Sequence, residues 1–387
     1  MITENIKLKN FLIQKKLFNI SKKVKLLLEE NNLILSTLRS NYKYNYSNKI
    51  IKKFKKYQNI ILIGMGGSIL GSQAIHDFLK YKIKKNFFFI NNLSNERLEN
   101  YKKKKNLNLV ISKSGNTLET IFNSNIFIKK NDKNIFITEN TNNYLFNLGK
   151  KLKAEIIEHK NYIGGRYSVL SEVGMLPAQL MGLSEKKFKQ FDNLIKNKKF
   201  INNLIRNVES TLYFLKRDKF TSIILNYDEG SENIFKWYQQ LVAESLGKKS
   251  KGLLPIVSSM PKDNHSLMQL YLDGPKKSFY TFFYVHDKKS LKLKSNQLLS
   301  SMNYLKNKDI NKIIYSQKTA TENVFKKKKI PFRSFEILKR DEKSLGELFT
   351  FFILETILLG RALNVNPFDQ PSVELIKKET KKILVQI

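Results

Sequence analysis

Two stretches decide the fold. The first is Ile60-Ile61-Leu62-Ile63-Gly64-Met65-Gly66-Gly67-Ser68. The second is Leu107-Asn108-Leu109-Val110-Ile111-Ser112-Lys113-Ser114-Gly115-Asn116-Thr117. Each is a short apolar run that stops at a small-residue loop and gives way to a helical pattern. A strand buried on both faces reads as such a continuous run. Phe87–Ile90, Ile135–Thr138 and Glu155–Ile157 are further strand candidates between helical segments. Strands alternating with helices of about 10–15 residues imply a parallel sheet with crossover helices.

The rhythm restarts after a helical stretch at Ser184–Lys216. Strands are expected at Phe220–Leu225, Leu253–Val257, Ser278–Val285 and Phe332–Leu338. Helices are expected at Ser231–Leu246, His265–Leu272, twice within Leu291–Lys329, at Glu342–Leu363 and at Val373–Val385. Residues 1–56 read as Lys-rich amphipathic helix, anchored by Leu26, Leu27, Leu28, Leu33, Leu35 and Leu38. The expectation is two tandem α/β sandwiches with parallel sheets, plus N- and C-terminal helices. Their spans are 45–180 and 181–387, joined by helical residues 1–44.

The composition narrows the function. The chain has 387 residues, with 70 Lys+Arg against 33 Asp+Glu and a net charge of +37. That charge suggests nucleic acid or an anionic membrane. However, 62 of the 70 cations are Lys and only 8 are Arg, whereas base-edge readers rely on the Arg fork. A lysine-biased globular surface is the simpler reading, with no nucleic-acid partner. No apolar run approaches the roughly 20 residues of a membrane span. Leu348–Leu363 carries Glu355 and Arg361 and reads as a buried helix. No N-terminal signal is visible, so a cytoplasmic protein without membrane partner is expected. There is no Cys, and the only histidines are His76, His159, His265 and His286. Disulfides and thiolate chemistry are excluded, and a His-based metal cluster is not expected.

Several positions could carry chemistry. Ser112–Thr117 offers three hydroxyls, a Lys, a Gly and a helix start, which suits a phosphate monoester. An ordinary helix cap has the same residues. Gly64–Gly71 does not follow the dinucleotide spacing and supports no nucleotide reading. Gly164-Gly165-Arg166-Tyr167-Ser168 is a sharp turn with one of the few arginines, either surface-facing or anion-facing. On Ser231–Leu246, helical arithmetic puts Ile234, Trp237, Leu241 and Ser245 on one face. Glu244 falls at its edge, one turn from Gln240, as a possible base or a solvated border residue. Asp263-Asn264 could cap a helix beginning at His265. In the last helix Val373, Ile376, Thr380, Ile383 and Leu384 form an apolar stripe that contains Lys377. A Lys there either snorkels or meets an anion in a cleft.

Taken in order, the glycine loop, Ser112–Thr117, the Gly-Arg turn, Gln240–Lys248, His265 and Asn366-Pro367-Phe368-Asp369-Gln370…Val373-Glu374…Lys377 resemble the glucose-6-phosphate isomerase family. The resemblance spans about residues 60–380. It implies two sugar-isomerase-type α/β domains, a homodimer, and interconversion of glucose 6-phosphate and fructose 6-phosphate without metal or cofactor. By the same resemblance Ser112, Ser114 and Thr117 hold the phosphate, with Lys113 and Ser68 alongside. Glu244 moves the proton between C1 and C2, and Arg166 stabilises the enediolate. His265 and Lys377 open the ring, with His265 supplied to the neighbouring subunit. Gln240 and Gln370 line the sugar.

Asn116, Ser372 and Asn264 depart from the family pattern. A broader isomerase that also takes mannose 6-phosphate, a non-catalytic sugar-phosphate sensor and a basic nucleic-acid binder are the competing readings. The presence of Glu244, Arg166, His265 and Lys377 together argues against the sensor.

Overall fold

The computed structural model describes residues 1–12, 19–94, 106–294 and 297–386. Ten strands form two five-stranded sheets. They are β1 (Ile6–Lys9), β2 (Asn59–Gly64), β3 (Asn86–Ile90), β4 (Leu107–Ile111), β5 (Lys133–Thr138), β6 (Glu155–Glu158), β7 (Thr221–Asn226), β8 (Leu254–Ser259), β9 (Ser278–Val285) and β10 (Phe332–Ile337).

The first sheet has the order β3-β2-β4-β5-β6 and is parallel throughout. The second, β8-β7-β9-β10-β1, repeats that topology in its four parallel strands. In each half the leading strand lies between its second and third. The chain therefore leaves it once to either side, which opens a crevice at the carboxyl ends of β2/β4 and of β7/β9. Strand β2 is buried at all six positions and β4 at all five, as parallel strands covered by helices on both faces should be.

The two-sandwich α/β architecture is as expected, and three local expectations are corrected. The N-terminal segment is not helical throughout. β1 adds antiparallel to β10 at the edge of the second sheet, pairing Ile6 with Ile337 and Leu8 with Phe335. Its alternation of Ile6 and Leu8 with Lys7 and Lys9 is the period-2 pattern of an edge strand. Of the expected helical anchors, Leu27, Leu35 and Leu38 are buried, whereas Leu26 and Leu33 are exposed.

Within 291–329 the described residues contain one α-helix, Ile310–Lys327, preceded by a 3-10 turn at Ser300–Leu305. Asp309 caps that helix by accepting from the Lys312 N–H at 2.9 Å. His265 does not start a helix either. It ends a 3-10 turn, Lys262–His265, and the helix that follows is Met268–Asp273.

The helix Glu342–Ala362 carries the largest share of the core, with Phe349, Phe351 and Phe352 buried against Trp237, Phe335 and Tyr238. Its most deeply buried acid, Glu355, is neutralised by buried Arg333. Pairing of that kind is what makes a charge tolerable inside a core. No described helix is long and apolar enough to cross a membrane.

Candidate active site

The site grows from the crevice of the first sheet. The loop after β2 becomes a 3-10 turn, Gly66–Ser68, and packs directly on the Gly-Arg turn. A Cβ on Gly67 would lie 2.1 Å from the Gly165 carbonyl carbon, and one on Gly66 would lie 2.8 Å from Gln240 Nε2. Only glycines let three segments approach so closely. Ser168 adds a hydrogen bond from its Oγ to the Gly67 carbonyl at 3.3 Å.

Arg166 stands where these segments meet, 1% exposed. All three of its nitrogens are engaged. Nε donates to Ser245 Oγ at 2.8 Å. NH1 donates to Glu244 Oε2 at 3.2 Å and to Gln370 Oε1. NH2 donates to the carbonyls of Pro367 at 2.7 Å and Asp369 at 3.0 Å. The fork therefore ties the helix Glu232–Leu246 to the irregular segment 366–370, and its position is over-determined.

Trp237 Nε1 donates to the Arg166 carbonyl at 3.1 Å, and Tyr167 shares a 2.8 Å hydrogen bond with Ser245. Burial pushes the Tyr167 phenol above its usual range, so it remains a neutral donor, and Pro367 O accepts from it at 3.0 Å.

Glu244 is thereby held from both sides. Arg166 takes Oε2 and Gln240 Nε2 donates to Oε1 at 2.9 Å. Its side chain keeps 29% exposure, which leaves a face open to the crevice. Gln240 Oε1 is buried without a partner, an acceptor left over for a ligand hydroxyl.

Lys248 clamps the far side. Nζ lies 2.8 Å from Asp369 Oδ1 and donates to the carbonyls of Ser245 at 3.2 Å and Asn366. Its hydrogen bond to Asp369 is the main reason that carboxyl sits below its ordinary range.

The hydroxyl loop lies beside the glycine loop, at the end of β4. Ser112 and Thr117 share a 2.8 Å hydrogen bond, and Ser114 Oγ accepts from the Asn116 N–H at 3.3 Å. Thr117 makes no side-chain cap on the helix Leu118–Phe127, so its hydroxyl does not satisfy the first N–H groups of that helix. Lys113 Nζ stands 3.9 Å from Glu139. Asn116 Oδ1 accepts from the Tyr144 N–H at 3.1 Å. Asn116 thereby holds the start of the next helix, Tyr144–Lys151.

Arg166, Glu244, Gln240 and Gln370 are thus joined in one network, with Ser68 in the adjoining 3-10 turn. His265 and Lys377 are not joined to them. His265 is exposed beyond β8, and no described contact links it to Arg166 or Glu244. Asp263 does not cap a helix at His265. Its carboxylate accepts from Ser258 Oγ, the Ser259 N–H and Ser266 Oγ, tying the turn to the end of β8.

Lys377 is exposed and paired with Glu374 at 2.6 Å. The inner-stripe reading of its helix is corrected: Val373–Gln386 buries no residue, and Ile376 is 72% exposed.

Sequence reasoning did not assign Ser245, Tyr167 or Lys248 to the site. A serine in the apolar stripe with Trp237 was the one visible signal for Ser245.

Two halves of like topology, with glycine, hydroxyl and Arg-Glu elements gathered at strand ends, define the class as a sugar-isomerase-type α/β protein. Solved structures share this fold. One is a hypothetical protein of Thermus thermophilus, with a TM-score of 0.81 and 21% identity over 94% of each chain. Another is a glucose-6-phosphate isomerase of Chlamydia trachomatis, with a TM-score of 0.70 and 18% identity, covering 96% of this chain and 76% of that one.

Closer in sequence is the glucose-6-phosphate isomerase of Methanocaldococcus jannaschii, 34% identical over 361 residues, 87% of this chain and 86% of that protein. That of Mycoplasmopsis pulmonis is 32% identical, covering 90% and 88%. A family model described as phosphoglucose isomerase matches residues 34–387, and the chain belongs to that family.

Proposed function

We propose that this protein interconverts D-glucose 6-phosphate and D-fructose 6-phosphate in glycolysis and gluconeogenesis, by ring opening and proton transfer through a cis-enediolate. The observation that carries this reading is a partly exposed Glu244 carboxylate, held by buried Arg166 and by Gln240 next to a hydroxyl loop. Moving a proton between adjacent carbons requires one base that can return what it takes, and a carboxylate can do both. In this reading Glu244 removes the C2 proton of the open-chain aldose. The electrons pass through the enediolate, a proton shifts between O1 and O2, and Glu244 delivers its proton to C1.

Arg166 acts here through fixed positive charge. Its nitrogens are all engaged, so it orients Glu244 and lowers the energy of the enediolate electrostatically, without reorganising. Ser112, Ser114 and Thr117 receive the phosphate, whose binding energy orients the reacting end. Lys113 supports them with charge. Gln240 Oε1 accepts a sugar hydroxyl, and Gln370 and Ser68 border the same space.

His265 of a second copy and Lys377 complete the site as ring-opening groups, so the active form is a homodimer. That assignment accounts for the separation of His265 from the Arg166 cluster within one chain. The segment leading to Lys377 is already anchored to Arg166 through Gln370.

The test is to incubate the purified protein with fructose 6-phosphate in the presence of a chelator. Glucose 6-phosphate is followed through a coupled dehydrogenase. Turnover is expected, and its loss by orders of magnitude in Glu244→Gln. Absence of turnover in the unaltered protein refutes the function, and near-normal kcat in Glu244→Gln refutes the base assignment.

A further inference from the structure

Two cavities of similar size open at opposite ends of the second sheet. The one at the carboxyl ends of β7 and β9, about 360 Å³, is lined by Asp228, Asp287 and Arg340. Arg340 and the two carboxylates already satisfy one another. Arg340 donates to both carboxylates, and Ser231 donates to Asp228.

The other cavity, about 310 Å³, lies at the amino ends of β7, β9 and β10, and shares no residue with the Arg166 cluster. Five cations line it and no carboxylate does: Arg217, Lys219, Lys276, Lys328 and Lys329.

Net charge alone does not explain this second cavity. A chain of +37 shows lysines everywhere, but many of those in contact with other elements have found acids, as Lys53 has Glu155 and Lys343 has Glu4. Here Lys328 pairs with Asp273 at the rim. Lys219 and Lys276 donate to main-chain carbonyls, those of Lys276 and Leu272, and Lys276 also acts on the Asp273 carboxylate through its charge without forming an ion pair. Among the described residues no carboxylate pairs with Arg217, Lys219, Lys276 or Lys329.

Burial, and then the nearby charges of Lys276 and Lys277, hold the Lys219 ammonium below its usual range. An arriving anion relieves the repulsion that like charges impose on such a group. A concave wall also focuses the field.

The remaining wall is apolar. Pro275 and Pro331 line it together with the edges of Tyr271 and Tyr280, which meet edge to face with centroids 5.5 Å apart and are largely buried. The Arg217 guanidinium lies 3.7 Å over the Tyr213 ring, which adds a planar face. The volume reaches the lower range of small-molecule sites. A bare inorganic anion would use the lysines and leave this wall empty.

We propose that the cavity binds a nucleoside polyphosphate, its base on the Tyr and Pro wall and its phosphates between Lys219, Lys276 and Lys329. The site is separate from the isomerase site and does not depend on the reaction assigned there.

The experiment is calorimetric titration of the full chain with ADP, free of divalent metal and at low ionic strength. Inorganic pyrophosphate serves as a second probe. Lys219→Ala/Lys276→Ala is expected to weaken ADP at least ~10-fold, the loss of about two charge-assisted contacts. Lys378→Ala/Lys381→Ala lowers the net charge equally and is expected to leave the affinity within ~2-fold. Ser112→Ala/Thr117→Ala is expected to retain ADP binding.

Equal weakening by the two lysine pairs, or no ADP binding at all, overturns the site. Loss of ADP binding in the Ser112→Ala/Thr117→Ala protein also overturns it, because ADP then occupies the hydroxyl loop. Pyrophosphate binding as tightly as ADP overturns the nucleotide assignment.

Discussion

Replacing Ser245 by Ala tests whether the Arg166 fork is held as described. Ser245 is fully buried and accepts the only hydrogen bond from Arg166 Nε, at 2.8 Å, while sharing another with Tyr167. Tyr167 keeps the Pro367 carbonyl after the change. The Arg166 Nε–H loses its Ser245 acceptor in a buried site, with the Tyr167 hydroxyl beside the guanidinium. Leaving a buried donor unmade costs about 1–3 kcal/mol, and the upper end applies because the guanidinium is charged. The removed oxygen leaves little space, so a cavity term adds only tenths of this.

The predicted loss is therefore ~3 kcal/mol in urea unfolding, with an unchanged dependence on denaturant. Activity should separate the two catalytic parameters. The hydroxyl loop is untouched, so KM for fructose 6-phosphate stays within ~2-fold. The NH1 contact to Glu244 loosens, and kcat falls ~10-fold, as expected for loss of orientation rather than of binding. Unfolding within ~0.5 kcal/mol of the unaltered protein, or a rise in KM with unchanged kcat, would show that Ser245 does not fix the fork.

Mixing purified His265→Ala and Glu244→Gln proteins under exchange conditions should restore about one quarter of normal activity. Half the dimers are then mixed, and each carries one intact site if His265 serves the partner. No recovery places His265 in its own chain's site. Raising ionic strength from low to physiological should lower kcat/KM for the dianionic substrate, because +37 steers it and salt screens that field. A flat profile refutes steering.

Burial lowers the His159 imidazole from 6.5 to about 4. The unfolded chain thus binds the extra proton between those values, and stability falls as pH drops through that window. The full effect is about 3 kcal/mol. His159→Leu should flatten this part of the stability profile, and an unchanged slope would refute the assignment.

Much of this site was legible because its determinants are local. Buried parallel strands read as uninterrupted apolar runs, so Leu107–Ile111 and Ser278–Val285 appear with the bounds the structure has. Loops that follow such strands fall at the ligand-binding edge by topology alone.

Other features leave no such trace. β1 is four residues long in a lysine-rich segment, too short for its alternation to stand out. The stripe around Lys377 shows which face of the helix is apolar but not whether anything covers it. Two of the acceptors of Arg166 are the carbonyls of Pro367 and Asp369, and main-chain acceptors carry no residue signature. The Lys248–Asp369 pair joins residues 121 positions apart, which spacing along a helix cannot reveal.

The central claim is that Glu244 carries a proton between C1 and C2 of a hexose 6-phosphate. Running the protein with fructose 6-phosphate in D2O and reading the product by proton NMR tests it most directly. Deuterium is expected at C2 of glucose 6-phosphate in the turnovers in which the proton held by Glu244 exchanges with solvent before delivery, and both turnover and deuterium uptake are expected to be lost in Glu244→Gln. Turnover or deuterium uptake that survives Glu244→Gln at the normal rate would contradict the claim.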